Sequence, residues 1–230
     1  MVNQVIRIPK GCVLWLDLTE DTGDILYDRS GHGNNGKVYG AVLEKRLPFI
    51  GRRFDGADDY VEIRESILKD THTVVAWINT TTAGLEMAIY AEGNTRTNAP
   101  LKLLSIYNTG IHYLLRSDEN VDLVNILLDD LGLCDGKWHM IAVSNDGSLA
   151  NVYVDCNLVA SESVETGTIT VNTATVGAIK RMVISNYFNG LIAHVSLYNR
   201  AFTPKEIKYL YEEFQKRVFR RIAPLEIRMR

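Results

Sequence analysis

With 230 residues, 46% of them apolar and 23% charged, the chain can bury a core of its own without metal or disulfide staples. A net charge of −3 excludes the broad attraction to nucleic acid or anionic membrane that a strongly basic chain would show. The charge is uneven, however. From Lys216 to Arg230 six basic residues stand against Glu226, and taking that segment's +5 from −3 leaves −8 on the body.

The first ten residues, Met1 to Lys10, have no apolar stretch and no small-residue cleavage site, so a secretory signal is not expected, nor is a membrane span anywhere in the chain. This predicts synthesis in the cytoplasm, with a virion or an extracellular surface as the destination. Cys12, Cys134 and Cys156 form no metal spacing and are expected to be free thiols, the pairing of Cys134 with Cys156 staying open.

In chain order, Val13 to Leu18 alternates after a glycine and reads as a first strand. Asp28 to Gly36 is a dense turn cluster of the pattern Asp-x-Ser-Gly-x-Gly-Asn-x-Gly. It lacks the Gly-Lys-Ser/Thr ending of a phosphate cradle, and no helix follows. Arg53 to Gly56 and Tyr60 to Ile63 read as short strands flanking a turn, and Thr73 to Asn79 as a core strand rich in β-branched residues. Met87–Tyr90, Leu101–Ile106 and Gly110–Leu115 follow, with turns expected at Gly93-Asn94, Asn98-Ala99-Pro100 and Asn108-Thr109-Gly110. Trp138–Ser144 and Ala150–Asp155 form a hairpin through Asp146-Gly147, a dipeptide suited to primed turns. Cys156-Asn157 is the next expected turn, Thr168–Val171 and Thr175–Gly177 are expected edge material, and Leu191–Tyr198 is the last strand. Thr203-Pro204-Lys205-Glu206 is a capping box with Pro at the first helical position. It opens a helix to about Val218 whose Ile207, Leu210, Tyr211, Phe214 and Val218 form one apolar stripe. The run Leu225 to Met229 is expected to be extended. Short strands at regular spacing with turn signals predict a sandwich or barrel.

Three segments carry a resemblance: Phe54-Asp55-Gly56-Ala57-Asp58-Asp59-Tyr60-Val61-Glu62-Ile63, Asp135-Gly136-Lys137-Trp138-His139-Met140-Ile141-Ala142-Val143, and Tyr187 to Thr203. With the Asp28–Gly36 loop they resemble the laminin-G-like, concanavalin A-like jelly-roll family, from about Gly11 to about Phe214. The resemblance implies an all-β, two-sheet antiparallel sandwich with one C-terminal helix, whose last strand returns beside the early ones. It divides the chain into an N-terminal arm (1–10), a jelly-roll domain (11–218) and a basic tail (219–230). Relatives usually carry glycine where Cys156 stands, which implies a less strained turn here, and an acidic residue where His194 stands.

Calcium is the metal that the resemblance implies, with Asp28, Asp58 and Asp59 as candidate ligands. A pentraxin-like double-calcium site is not expected, because the corresponding loop, Val176 to Arg181, is basic and apolar. The five histidines show no zinc spacing. Glycosidases on this fold cluster carboxylates on one strand, and neither Asp118-Glu119-Asn120-Val121-Asp122 nor Asp55 through Glu62 gives that pattern, so catalysis is not expected. A glycan site needs an aromatic platform beside amide and charged groups. Tyr90, Asn94, Arg96, Asn98, Tyr107 and Asn108 are the candidates, lying near loops after adjacent strands. The leading expectation is a non-catalytic lectin-type module binding a glycan or a glycosylated surface. The alternative is a virion or surface-assembly protein that uses Arg220, Arg221, Arg228 and Arg230 as subunit contacts, with a homo-oligomer as one outcome.

Overall fold

A computed structural model describes residues 7–21, 23–46 and 49–226. The early strands are β1 (Cys12–Asp17), β2 (Ile25–Leu26), β3 (Gly36–Tyr39), β4 (Val42–Arg46), β5 (Phe49–Asp55), β6 (Tyr60–Ile63) and β7 (His72–Asn79). Then come β8 (Glu86–Asn94), β9 (Thr97–Tyr107), β10 (Gly110–Arg116), β11 (Asp122–Leu128), β12 (His139–Asn145), β13 (Leu149–Val154) and β14 (Asn157–Ser163). The series ends with β15 (Thr173–Val176), β16 (Ile179–Lys180), β17 (Ile184–Ser185), β18 (Asn189–Tyr198) and the helix α1 (Pro204–Glu226).

The strands form two large antiparallel sheets and one small hairpin. The first has the order β14-β13-β12-β7-β18-β5-β4 with β1 also on β18; the second is β11-β10-β9-β8-β15-β6-β3-β2. β16 and β17 pair only with each other. The expected return of the last strand is observed: β18 pairs with β7 along most of its length, with β5 at its start and with β1 at its end. Alternate residues of both sheets meet between them in one core that includes Leu14, Phe54, Ile78, Met87, Ile106, Ile141 and Val195.

The outer face of the first sheet is closed by α1. Thr203 and Glu206 make the capping box, the Thr203 N–H donating to Glu206 Oε2 at 2.9 Å and the Glu206 N–H to Thr203 Oγ1 at 3.4 Å. Ile207, Leu210 and Phe214 bury themselves against Trp15, Trp77, Met140 and Tyr198, each large apolar side chain contributing about 1.5–3 kcal/mol. The helix continues past Val218 to Glu226, so Arg220 and Arg221 ride on helical backbone and Leu225 and Glu226 are not extended. Lys, Arg, Gln and Ala favour helix over strand across this stretch. Arg228, Arg230 and the rest of the expected extended run lie outside the described residues.

Three further expectations are corrected, and one strand is added. Asn98-Ala99-Pro100 is not a turn but part of the eleven-residue strand β9; β10 pairs only from Leu101 onward, so the missing Pro100 N–H interrupts no ladder bond on that side. Thr175–Gly177 is not edge material, because Thr175 and Val176 belong to β15, which lies between β8 and β6. Residues 122–128, for which no element was expected, form the edge strand β11. Finally, the turn before β14 is centred on Asp155 and Cys156, with φ of 48° and 66°. Cys156 thus holds a side chain in left-handed backbone, and the relief of strain expected there is absent.

A polar brace crosses the core. Glu92 is fully buried and accepts hydrogen bonds from Ser66 Oγ, the Ile67 and Leu68 N–H groups, all at 2.7 Å, and the Tyr90 hydroxyl at 2.8 Å. Lys102 Nζ pairs with it at 3.1 Å and also donates to the Leu68 carbonyl. Removing one partner leaves the other charge buried and unpaired. Glu92→Ala is expected to lower unfolding free energy by about 3–5 kcal/mol in a denaturant titration, and Glu92→Leu with Lys102→Leu by much less.

Beside this brace, His72 bridges the Lys69 carbonyl (2.6 Å) and the Tyr113 hydroxyl (2.9 Å), and Asn145 donates to the same hydroxyl at 3.2 Å. Burial pushes His72 down to about 4, so it stays neutral where the unfolded chain takes up a proton. Stability is therefore unaffected by this group above about pH 6.5 and falls as pH drops from there toward 4, by about 3 kcal/mol in all. Unfolding curves at pH 7 and pH 4.5 for the parent and for His72→Asn should show the stability difference between them shrinking, or reversing, at the lower pH.

Candidate functional site

The outer face of the second sheet carries a row of polar side chains across four adjacent strands. Strand alternation sends Met87, Leu104, Ile106, Ile111 and Tyr113 into the core, which leaves Glu86, Ser105, Tyr107, His112, Arg116 and Asn125 on the other side. Cross-strand register then brings them together, with Glu86 opposite Tyr107, Ser105 opposite His112 and Leu114 opposite Asn125.

His112 is the hub. Its Nδ1 lies 2.6 Å from Glu86 Oε1 and its Nε2 3.1 Å from Asn125 Oδ1, so both ring nitrogens face oxygen acceptors. Ser105 Oγ donates to Glu86 Oε1 at 3.1 Å and Asn186 Nδ2 to Glu86 Oε2 at 3.2 Å. The row continues as Asn125 Nδ2 donates to Asp122 Oδ2 at 2.9 Å and Arg116 Nε to Asp122 Oδ1 at 2.6 Å. The Tyr107 ring meets His112 edge-on at 6.4 Å. Hydrogen bonding from His112 holds the Glu86 carboxyl below its usual range, against burial, and Arg116 does the same for Asp122.

The floor of this face is apolar: Ala88, Ala91, Leu101, Leu103, Leu114 and Ile179 pack as a cluster separate from the main core. Ile179 belongs to the β16–β17 hairpin, which lies across the sheet. Its backbone passes so close to Gly93 that a β-carbon there would overlap the Lys180 carbonyl. Arg181 Nη1 donates to the Asn98 carbonyl at 2.8 Å, fixing the hairpin to the start of β9.

The structure does not bring the six expected glycan residues together. Tyr90 is buried and bonded to Glu92, so it offers no platform. Asn94, Arg96 and Asn98 cluster at one end of β9, where Asn94 Nδ2 donates to the Thr170 carbonyl. Tyr107 and Asn108 lie at the other end, about 30 Å away at ~3.4 Å per residue, and Asn108 Nδ2 donates to Asp129. Only Tyr107 borders the polar row. Glu86, Ser105, His112, Arg116 and Asn125, which the sequence did not single out, share the face opposite the core residues through strand alternation, interspersed there with Ala88, Leu103 and Leu114.

For calcium, Asp58 and Asp59 do come together, with Asp55 as third member, their ligand oxygens all within 4.8 Å of one another. Asp55 Oδ1 accepts the Ala57 N–H at 2.8 Å, which holds that carboxyl low, and Asp59 Oδ2 accepts the Asp55 N–H at 2.9 Å. Burial, and then the charges of Asp55 and Asp58, push Asp59 up. Three crowded carboxylates are a donor set that a hard divalent cation fits. Asp28 stands apart: its two oxygens accept from the Trp15, Ser30 and Asn34 N–H groups and the Ser30 hydroxyl, capping the 28–36 loop. Millimolar calcium is expected to raise the melting temperature of the parent, and Asp59→Asn to abolish that rise while melting no lower than the parent in chelator.

Residues 55–208 match a family model described as the concanavalin A-like lectin/glucanases superfamily. No curated protein matches. Among solved structures, the binding domain of botulinum neurotoxin serotype D superposes with a TM-score of 0.67 at 16% identity, over 88% of this chain and 52% of that one. The binding domain of Paraclostridial Mosquitocidal Protein 1 gives 0.67 at 14%, over 89% and 52%. The binding domain of botulinum neurotoxin DC in complex with SialylT gives 0.65 at 17%, over 90% and 52%. At such identities the likeness is one of fold, and this chain spans about half the length of each neighbour.

Proposed function

Because the chain belongs to the concanavalin A-like lectin/glucanase superfamily, we propose that it is a non-catalytic recognition module of lectin type, binding a glycan or a glycosylated surface at the polar row around His112. The observation that carries this reading is the row itself: planar amide, carboxylate, imidazole and guanidinium groups, fixed by one another, beside a tyrosine ring on the outer face of the sheet. Such groups match the paired donors and acceptors of sugar hydroxyls, and their mutual bonds pre-pay the cost of ordering them.

The same geometry argues against hydrolysis. A glycosidase keeps one carboxyl protonated as its acid, whereas Glu86 and Asp122 are both held low by cationic or hydrogen-bonding neighbours. The neighbour solved with SialylT adds support from the fold, as a related sandwich within a domain that engages a sugar ligand.

A thermal-shift screen of the parent against a broad glycan panel tests the proposal. At least one glycan should raise the melting temperature, and His112→Ala should weaken binding of that glycan by about 10–100-fold, the loss of one or two hydrogen bonds to charged groups. A flat response across the panel would sink it.

A further inference from the structure

We infer that the outer face of the second sheet carries a second carbohydrate subsite, built on Tyr39, Tyr60 and Tyr187, so that one chain holds a multivalent glycan at two points. This rests on the reading above and adds a second contact to it. β3 and β6 send Val38, Val61 and Ile63 into the core and leave Lys37, Tyr39, Tyr60 and Glu62 outside, with Lys37 opposite Glu62 and Tyr39 opposite Tyr60. The two tyrosine rings stack at 4.6 Å and 11°. Lys37 Nζ lies 4.8 Å from the Tyr39 ring centre. Lys180, from the hairpin, bonds Glu62 at 2.6 Å and stands 5.9 Å from the Tyr60 ring. Tyr187 joins the group from just before β18, whose Asn189 pairs with Asp55 at the turn that leads into Tyr60.

Six of the chain's eleven tyrosines show two kinds of hydroxyl. Those of Tyr90, Tyr113 and Tyr198 are buried and bonded to Glu92, His72 and Asn145, and Ser196. Those of Tyr39, Tyr60 and Tyr187 are half-buried, and among the described residues no partner stands within hydrogen-bond reach of them. Half-buried tyrosines held by such stacking lose little conformational freedom on binding and offer their ring edges and hydroxyls. Glu62, Lys37 and Asp58 beside them supply the acceptors and donors that sugar hydroxyls need.

The position of the group makes it a separate contact. Five strand spacings lead from β10 to β3, about 24 Å, and the hairpin lies between the two clusters. One sugar ring cannot reach both. Two branches or distant units of a polymer can, and the second contact then forms at high effective concentration, a gain of about 10²–10⁴ in avidity.

The test measures binding of the full chain to cellobiose, laminaribiose, chitobiose and sialyllactose, each free in solution, where it is too short to reach both clusters, and each coupled densely to beads. For the probe that binds, the coupled form should be held about 100-fold or more tightly than the free form. Tyr60→Ala with Tyr187→Ala should remove that gain and leave the free-probe affinity unchanged. Tyr60→Phe, which keeps the packing, should lose only part of the gain and confirms that the fold survives. A gain that persists in the Tyr60→Ala, Tyr187→Ala chain overturns the inference while the His112 site stands. Binding of no probe in either form overturns the lectin reading and this inference together.

Discussion

The fold depends on one strand being held by three others far from it in sequence. Asn189–Tyr198 takes its ladder bonds from β7, β5 and β1, and each pairing requires the backbones to come very close. Glycine supplies the room: a β-carbon at Gly190 would press on the Asn79 carbonyl, and one at Gly51 on the Ile192 carbonyl and Trp138. With β18 in place, Trp15, Tyr198 and Trp77 form one apolar surface on the outside of the first sheet, and the helix has something to cover. Without it the first sheet would split into β14–β7, β5–β4 and a lone β1, each with open edges.

The two faces of the sandwich are then used differently. The first sheet buries its outer side under α1, so that side is structural. The second sheet keeps its outer side for polar and aromatic groups, while its inner side contributes not only aliphatic side chains but the Glu92–Lys102 pair and Tyr113, whose hydroxyl meets His72 and Asn145 of the first sheet. These buried polar groups are bonded to the segment 66–69, which no sheet pairing holds. They tie that connection to β8–β10, directly beneath the strands that carry the candidate site.

Much of the architecture was legible in the sequence because its signals are local. Alternation located β1, β7, β9, β10, β12 and β13; Asp146-Gly147 marked a hairpin; Thr203 and Glu206 marked the helix start. What stayed hidden was set by tertiary context. Leu123 to Leu128 is nearly continuous in apolar residues, a pattern shared by strands and buried helices. β16 and β17 are two residues each, too short for any period to appear. The six residues expected to form one glycan site are separated in the fold for two physical reasons. Strict alternation from Glu86 through Ala88 puts Tyr90 on the outer face, but a bulge between Ala88 and Tyr90 turns both Ile89 and Tyr90 inward. And the turn read at Asn98–Pro100 is part of a long strand, so residues that looked adjacent lie at its opposite ends. A one-residue register change cannot be seen without its partner strand.

The insertion of β15 between β8 and β6 bears on how the molecule is made. β8 to β11 are consecutive and joined by short turns, so they can pair as soon as they leave the ribosome. β15 arrives about eighty residues after β8, and β18 later still, in a chain synthesised at ~5–20 residues per second. For several seconds the nascent chain therefore presents the half-sheet that bears His112 already formed, with the inner edge of β8 open. The order of emergence from the ribosome leaves that edge as the place where a wrong strand, from this chain or from a neighbour on the same message, can pair first.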